Sequence, residues 1–423
     1  MAAIILLLLV LLALALRQNI IIILLATAAY VHLVWGDGQL EYLAEDIWIS
    51  LDNSLLLAIP MFLLAGNLMT RGSIARRLIS LAISITRPLP GGLAVATILS
   101  CAIFAAISGS SPVTLLAVGT ILYPALLEHG YPKRFALGAL ASGGTLGIII
   151  PPSIPLILYG IVTENSIADL FVAGIIPGIM IALVLAFYSF WVNRKMPAQP
   201  FSVSEFKEAV MLGGWSALLP VILLGGIYSG YFSATESAAV ALIYALFVEI
   251  VIHRELKLVD FFYTAVDTAK LLGMLFPIVG VALSLKTILT IEGIPEMLAT
   301  WITSLTDNKI AFLLALNVLL LLVGCLFDVI SAILILAPLL LIPAQSYGID
   351  PIHLGIIMVI NLEIGFLTPP LGLNLIVAMT AFKENYLEIC KSVVPFILLI
   401  LMVLLVVTYV PVLSLLFLSL IHI

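Results

Sequence analysis

The amino-acid sequence predicts an all-α polytopic membrane protein, built as an inverted repeat with two re-entrant helical hairpins and two broken helices. Three observations predict this fold class. First, 63% of the 423 residues are hydrophobic and only 9% are charged, a composition that excludes a soluble globular protein. Second, small residues and prolines interrupt the apolar stretches. Third, the spacing of those interruptions repeats along the chain.

The composition also limits the class of function. The mean hydropathy is +1.30, and the apolar stretches supply about ten to twelve spans at roughly 20 residues each. The net charge of −6 says little, because the placement of Lys and Arg fixes topology. No basic patch suggests nucleic acid. Cys101, Cys325 and Cys390 lack the spacing of a metal site and are predicted to be small buried side chains.

The first interruption predicts a hairpin. Two apolar stretches, 93–107 and 113–127, are each shorter than a full span and are joined by a turn of small residues from Ser108 to Pro112. Basic residues flank the pair on both sides: Arg71, Arg76, Arg77 and Arg87 before it, Lys133 and Arg134 after it. Because basic residues mark the cytoplasmic side, both arms should begin and end there.

The hairpin is followed by a broken helix. Glycines at 143–147 and prolines at 151–155 interrupt the apolar segment that crosses the membrane outward. Backbone broken at membrane depth is tolerated only where it is buried in protein or lines a cavity. This segment is therefore a candidate binding site.

The second half of the chain has the same organisation. Apolar runs 310–326 and 329–346 meet around Phe327-Asp328, and a second broken segment covers 365–374. A polar stretch at 195–211 is expected to join the two halves. Full spans are predicted at about 55–70, 167–193, 212–228, 233–252, 271–290 and 393–418.

The two halves are related by one constant offset. The same shift along the chain carries Gly130 onto Gly348, Gly147 onto Gly365, and Pro177 onto Pro395. It also carries Pro151-Pro152 onto Pro369-Pro370. The predicted topology places the first hairpin on the cytoplasmic side and the second outside, so the repeats are inverted. Paired breaks in two inverted halves indicate the midplane site of a secondary transporter.

Along nearly its whole length the chain resembles the large membrane subunit of tripartite ATP-independent periplasmic (TRAP) transporters. The most specific matches are the Ser108-Gly109-Ser110 tip and the two Pro-Pro breaks. The matching stretches are 59–66, 72–78, 89–92, 105–110, 143–147, 150–155, 235–239, 367–374 and 408–411.

The resemblance implies a sodium-driven, elevator-type importer of organic anions in the bacterial inner membrane. It implies two partner proteins: a small four-helix membrane subunit (Q subunit) and a periplasmic substrate-binding protein (P subunit). It also implies a scaffold and a mobile transport domain. We assign 1–92, 164–308 and 383–423 to scaffold helices, the first two with an arm helix, and 93–163 and 309–382 to the halves of the transport domain.

Sodium is a hard cation that prefers oxygen ligands. A first sodium site is predicted at the first tip and break, from Ser108, Gly109, Ser110, Ser111, Thr114, Gly143, Gly144 and Thr145. A second is predicted from Gly324, Asp328, Ser331, Gly365, Thr368 and Asn374. Asp328 stands alone in an apolar run, where a carboxylate costs about 2.5–3.5 kcal/mol. The alternative is that the hydroxyl residues only pack helices and that Asp328 only bonds a helix end.

The anionic substrate would lie between the two tips. We predict contacts from Ser110, Ser111, Pro151, Pro152, Ser153, Pro369, Pro370 and Asn374. Neither tip contains Arg or Lys, so helix N-termini, hydroxyls and Na+ must balance the substrate's charge. Sialic acid is the weakly preferred substrate, without support from any residue.

Four further interpretations concern single carboxylates and function class. Glu363, just before the second break, is either a structural partner or a coupling group, and Glu236 is predicted at a helix start. An intramembrane enzyme is disfavoured because no catalytic constellation is present. A channel, or a sodium-anion symporter without a binding protein, remains the alternative function.

Overall fold

The computed structural model describes residues 2–16, 18–36 and 38–421, and its elements are almost entirely helical. The first half contains α1 (Ala2–Ala15), α2 (Ile20–Val34), α3 (Glu41–Leu51), α4 (Ala58–Arg71), α5 (Ile74–Thr86), α6 (Gly92–Ser108), α7 (Ser111–Glu128), α8 (Lys133–Ile149), α9 (Ile154–Thr163) and α10 (Ile167–Asn193). A 3-10 turn, Ser54–Leu57, precedes α4.

The second half contains α11 (Val203–Tyr228), α12 (Ala234–Phe247), α13 (Leu258–Ile291), α14 (Ile294–Leu305), α15 (Lys309–Leu326), α16 (Val329–Ser346), α17 (Pro351–Phe366), α18 (Leu373–Phe382), α19 (Tyr386–Tyr409) and α20 (Val412–Ile421). A π-helical turn, Val248–Ile252, extends α12. Ten helical segments of the described residues are long and apolar enough to cross a membrane, which agrees with the lower end of the predicted count.

The predicted repeat is visible in the helix boundaries. The offset that relates the glycines and prolines also carries both ends of α7 onto those of α16, and the start of α8 onto the start of α17. The two Pro-Pro bonds, Pro151-Pro152 and Pro369-Pro370, are both cis. Each half therefore consists of a helical hairpin, a broken helix and a long helix in the same order.

The two halves interlock. Each hairpin packs against the first part of its own broken helix: α6 and α7 against α8, and α15 and α16 against α17. The second arm of each hairpin contacts the second part of the other half's broken helix: α7 contacts α18, and α16 contacts α9. The first tip lies beside residues from both halves, because Asn374 of α18 bonds Ser111 at the start of α7.

A second group of helices surrounds this unit. Helix α13 packs against α2, α3 and α4, while α11 packs against α5 and α12 against α4. Helices α10 and α19 both lie against α8. These contacts do not test the domain boundaries expected at 163 and 382, which therefore stay predictions.

Helix length does not decide how the hairpins enter the membrane. The four arms contain 17 or 18 residues, which corresponds to about 26 Å of helix. They are longer than the apolar runs of the first hairpin suggested, so length does not distinguish a re-entrant hairpin from a spanning one. Re-entry from opposite sides stays a prediction.

The helices at three predicted spans have other bounds than those spans. Helix α11 begins at Val203, well before the predicted span, because Ser202 caps it by accepting a hydrogen bond from Glu205. The amphipathic stretch and the span after His253 form the single helix α13. The predicted last span, 393–418, ends at Tyr409, because Pro411 lacks the N–H that would continue the helix.

Glu236 lies at a helix start as predicted, where it forms a capping box with Ser233 at the beginning of α12. Another carboxylate was missed. Glu249, fully buried in the π-helical turn, accepts hydrogen bonds from the backbone N–H groups of Ser73 and Ile74 at 2.7 and 2.6 Å. It thus caps α5 from a distant part of the chain, a contact without a local sequence signal.

Candidate functional site

The first tip is a compact cluster of oxygen atoms. The Ser108 and Thr114 hydroxyls lie 2.7 Å apart, and Thr114 donates to the Ser110 carbonyl at 2.9 Å. Gly109 has the left-handed φ of 60° that turns the chain between the arms. Ser108, Gly109 and Thr114 are buried, whereas Ser110 is partly exposed.

The tip is fixed against the first break. The N–H of Ile154 donates to the Gly109 carbonyl at 3.2 Å. A side chain at Gly147 would approach Ser110 O and Thr114 Oγ1 at 2.5 Å. Gly147 therefore belongs to the first tip, although the sequence pointed to it only through the repeat.

Gly143, Gly144 and Thr145, predicted in the first sodium site, also make contacts within α8 and with the hairpin arms. Gly143 faces the Cys101 side chain of α6, and Gly144 faces Leu115 of α7. Thr145 donates to the Ser142 carbonyl of its own helix at 2.5 Å. The two glycines allow the hairpin arms to approach α8 closely, which is a packing role.

The second tip is held by backbone contact. Gly324 and Gly365 touch so closely that a Cβ on Gly365 would overlap the Gly324 backbone. The N–H of Leu371 donates to the Cys325 carbonyl at 3.4 Å, and Thr368 donates to the Ile364 carbonyl at 2.8 Å. The C-terminal ends of α15 and α17 therefore meet here, as the ends of α6 and α8 do at the first tip.

Asp328 caps its own hairpin arm. Its carboxylate accepts hydrogen bonds from Ser331 N at 2.9 Å and Ser331 Oγ at 2.5 Å, at the start of α16. The side chain is half-buried. A carboxylate has about four acceptor positions, so the cap leaves room for a cation.

Asn374 belongs with the first hairpin. Its amide nitrogen donates to Ser111 Oγ at 2.6 Å and to the Ala141 carbonyl at 3.3 Å. Within the described part of the chain its Oδ1 has no hydrogen-bond partner, although the residue is fully buried. The structure thus joins two predicted substrate residues, Ser111 and Asn374, across the two halves.

The two Pro-Pro breaks differ in exposure. Pro151 and Pro152 are buried, whereas Pro369 and Pro370 are exposed. The Ser153 hydroxyl is engaged locally, because it donates to Ile148 O at 2.5 Å and accepts from Leu156 N at 3.3 Å to cap α9. Only the second break presents its prolines to the outside of the protein.

A buried carboxylate lies between the halves. Glu363 is fully buried in α17, and within the described residues neither of its oxygens has a hydrogen-bond partner by strict geometry. It lies beside Thr145 of α8, which is its equivalent position in the first half of the repeat. Buried acceptors without partners cost about 1–3 kcal/mol each, so Glu363 stays a candidate for either a structural or a coupling role.

The helix ends at the tips favour cations at some positions and anions at others. The carbonyl ends of α6, α8, α15 and α17 converge at the tips, and helix C-termini attract cations. The N-termini of α7 and α18 meet at Ser111 and Asn374, and neither helix has a side-chain cap on its first N–H groups. Free N–H groups at helix N-termini bind carboxylates.

The donor set fits Na+ better than a transition metal. The first tip supplies hydroxyl and carbonyl oxygens, and the second adds one carboxylate, which suits a hard monovalent cation. Among the described residues, no group of three or more His, Cys, Asp or Glu side chains could hold a metal ion.

Comparison with known proteins identifies relatives along nearly the whole chain. The family model described as "Tripartite ATP-independent periplasmic transporter, DctM component" matches residues 5–413. The C4-dicarboxylate TRAP transporter large permease protein DctM of Pseudomonas aeruginosa is 42% identical over 392 residues, which cover 92% of each chain. The ectoine TRAP transporter large permease protein TeaC of Halomonas elongata is 37% identical over 380 residues, with 88% of this chain and 89% of the relative covered.

A third relative is longer. The isethionate TRAP transporter permease protein DctMQ of Oleidesulfovibrio alaskensis is 42% identical over 386 residues, which cover 90% of this chain but only 61% of that protein. Among solved structures, the Alcanivorax borkumensis YdaH transporter matches with a TM-score of 0.64 at 17% identity, covering 89% of each chain. Neisseria gonorrhoeae MtrF matches with a TM-score of 0.64 at 13% identity, covering 89% of this chain and 85% of that one. These two show the fold alone.

Proposed function

The chain belongs to the DctM component family of tripartite ATP-independent periplasmic transporters, and we propose that it is the large permease subunit of a sodium-coupled importer of small organic acids. Family membership makes it a multi-pass membrane transporter subunit rather than an enzyme. The sodium coupling, the substrate and the direction of transport are the proposed parts.

One observation carries the proposal: helix C-termini meet at both tips, and two helix N-termini without side-chain caps meet beside the first tip. The C-terminal ends at Ser108 and Gly324 offer carbonyl and hydroxyl oxygens for Na+. The N-terminal ends at Ser111 and Asn374 offer N–H groups for a carboxylate. Bound Na+ would also offset the substrate's charge, because neither tip contains a Lys or Arg.

The substrate is proposed only as a small organic acid. The relatives carry names that refer to C4-dicarboxylates, isethionate and ectoine, all of which have an acidic group. The sequence-based preference for sialic acid becomes one arm of the test.

Two partners follow from the family. A small membrane subunit is proposed because one relative carries the fused name DctMQ, and a periplasmic binding protein would deliver the substrate. Transport would proceed by an elevator motion, in which the interlocked hairpins and broken helices move against the surrounding helices around α13. Helix α13 holds part of the surrounding group together through α2, α3 and α4, and this group also contacts the hairpins, with α5 against α6 and α14 against α16.

The test is uptake into proteoliposomes that contain the chain and its small subunit. Radiolabelled succinate, ectoine and sialic acid are offered with their cognate binding proteins, under an inward Na+ gradient or an equal K+ gradient. We expect saturable uptake of one substrate that requires both Na+ and the binding protein. Uptake that is equal in K+, or rapid conduction without a binding protein, would favour a channel instead.

A further inference from the structure

A groove runs between α10 and α19 on the outer surface of the protein. It encloses about 560 Å³ and is lined by Leu183, Phe187 and Trp191 of α10 and by Leu399 and Met402 of α19. Phe187 and Trp191 remain 64% and 54% exposed. Its lining is almost entirely apolar, and it lies far along both helices from the tips that form the proposed substrate site.

Basic residues lie beyond one end of the groove, one beside each of its two walls. On α10, the guanidinium of Arg194 lies over the Trp191 ring at 4.4 Å. On α19, Lys391 precedes Leu399 and Met402 by two and three helical turns, a spacing that places it on the same helix face.

The two cations lie at a similar level. Helices α10 and α19 run in opposite directions, and their register is set by Tyr188 and Phe396, whose ring centroids are 5.1 Å apart. In α19, Lys391 lies before Phe396 by the same number of positions as Asn193 lies after Tyr188 in α10. Because the two helices run in opposite directions, Lys391 lies at about the level of Asn193 and of the next residue, Arg194. Among the described residues, neither cation forms an ion pair with a carboxylate, and the neighbouring acid Glu388 is 3.5 Å from Lys133.

We propose that this groove binds one anionic diacyl phospholipid of the cytoplasmic leaflet, such as phosphatidylglycerol. The apolar lining would hold an acyl chain, and Arg194 and Lys391 would bind the phosphate. A guanidinium matches phosphate geometry, a Trp beside a basic residue is typical of the membrane interface, and basic residues mark this end as cytoplasmic. Both walls of the groove, α10 and α19, pack against α8.

The first test measures lipid retained through purification. The full-length protein is extracted in mild detergent and its bound phosphatidylglycerol is quantified by mass spectrometry. Each basic residue near an anionic headgroup strengthens binding about fivefold, so we expect the double variant Arg194→Gln/Lys391→Gln to lose most of the bound lipid. The matched control Arg76→Gln/Lys257→Gln removes two exposed cations elsewhere and should retain it. Equal retention in both variants would overturn the proposal.

The groove itself is tested by filling it. Leu399→Trp places a large ring in the groove, whereas Leu398→Trp places the same ring on the adjacent exposed face of α19. We expect the first variant to lose phosphatidylglycerol and the second to keep it. If both keep it, the lipid binds elsewhere and the proposal is wrong.

A fluorescence measurement identifies the occupant directly. Trp35, Trp48, Trp215 and Trp301 are replaced by Phe, and the remaining Trp191 is quenched by brominated lipids in reconstituted vesicles. We expect brominated phosphatidylglycerol to quench several-fold more effectively than brominated phosphatidylcholine, and the Arg194→Gln/Lys391→Gln variant to remove that preference. Equal quenching by the two lipids would indicate a non-selective annulus, and protection from both would indicate that another protein chain covers the groove. Either result would overturn the proposal. Excess inorganic phosphate should leave the quenching unchanged.

Discussion

The two halves of the molecule share their helix boundaries but cap different helices. In the first half, Ser153 caps the broken helix α9, while the hairpin arm α7 has no side-chain cap. In the second half, Asp328 caps the hairpin arm α16, while α18 starts at Gly372, which has no side chain to offer. The difference teaches that the repeat sets the architecture and that the departures from it mark the site.

The contacts between the two halves pair helices of the same kind. The two capped helices, α9 and α16, contact each other, and so do the two without a side-chain cap, α7 and α18. The pair α7 and α18 meets at Ser111 and Asn374, and neither helix has a side-chain cap on its first N–H groups. A symmetrical protein would have capped the same helix in each half.

The largest effect should come from the glycines that both halves share. Gly147→Ala and Gly365→Ala each place a methyl group against the backbone of a hairpin tip, and overpacking costs about 1–3 kcal/mol. We expect at least a tenfold loss of uptake in each variant, which would confirm that the tips are equivalent. Gly225→Ala is the control, because open space surrounds that glycine in α11. Normal uptake in either tip variant would contradict the close contact.

The second prediction concerns Asp328, the side-chain cap that the first hairpin lacks. Asn is as good an N-cap as Asp, so Asp328→Asn keeps α16 intact but removes the charge. We expect the Na+ concentration for half-maximal uptake to rise about tenfold, since a charge-assisted oxygen ligand is lost. Asp328→Ala should lose the cap as well, at about 1 kcal/mol of stability, and Ser153→Ala should lose only a cap. An unchanged Na+ dependence in Asp328→Asn would leave Asp328 as a cap alone.

The third prediction concerns the α7 and α18 pair. Asn374→Asp removes a donor to Ser111 and Ala141 and places a negative charge where the substrate carboxylate is proposed to lie. We expect KM for the substrate to rise about tenfold while the Na+ dependence stays the same. Asn385→Asp is the control, because Asn385 caps α19 and Asp caps equally well. A change in Na+ dependence without a change in KM would assign Asn374 to the ion site.

The smallest effect is expected where α9 and α18 end. Lys286 hydrogen-bonds Glu164 and lowers the pKa of that carboxyl, and Lys133 does the same for Glu384. A lowered pKa stabilises the folded state above the ordinary value of 4.5, and that stability is lost as the pH falls through the folded pKa. The Glu384 side chain is 19% exposed and Glu164 is 82% exposed, so Glu384 should contribute more.

Thermal unfolding in detergent at about pH 7 and about pH 4 measures this difference. We expect Glu384→Gln to reduce the loss of melting temperature on acidification by an amount equivalent to less than about 1 kcal/mol, and Glu164→Gln to have almost no effect. A larger effect from Glu164→Gln than from Glu384→Gln would show that the exposed ion pair contributes more to stability than its solvent exposure suggests.

The sequence alone predicted the features that depend on residues close together in the chain. The constant offset between the halves follows from glycines and prolines that fix backbone turns, and the boundaries of α7, α8, α16 and α17 confirm it. The tip at Gly109 and the breaks at the two Pro-Pro bonds were also predicted, because these residues interrupt a helix wherever they occur.

Contacts between distant segments could not be predicted. Asn374 was grouped with both the second sodium site and the substrate, but only the fold shows that it bonds Ser111 in the other half of the chain. Gly143 and Gly144 were assigned to the first sodium site, and only the fold shows that a side chain at either position would meet Cys101 or Leu115. Residue type indicates that a helix breaks or packs closely, while the partner depends on how the two halves cross.

The central claim is that each half contributes its own sodium site, at the carbonyl ends of its hairpin and broken helix. Equilibrium binding of radiolabelled Na+ to the purified protein tests it most directly. The account predicts two bound ions in the wild type and one in each of two variants: Ser108→Ala/Thr114→Val, which removes the hydroxyls of the first tip, and Asp328→Asn in the second. Both ions remaining in either variant, or no saturable binding in the wild type, would contradict the claim.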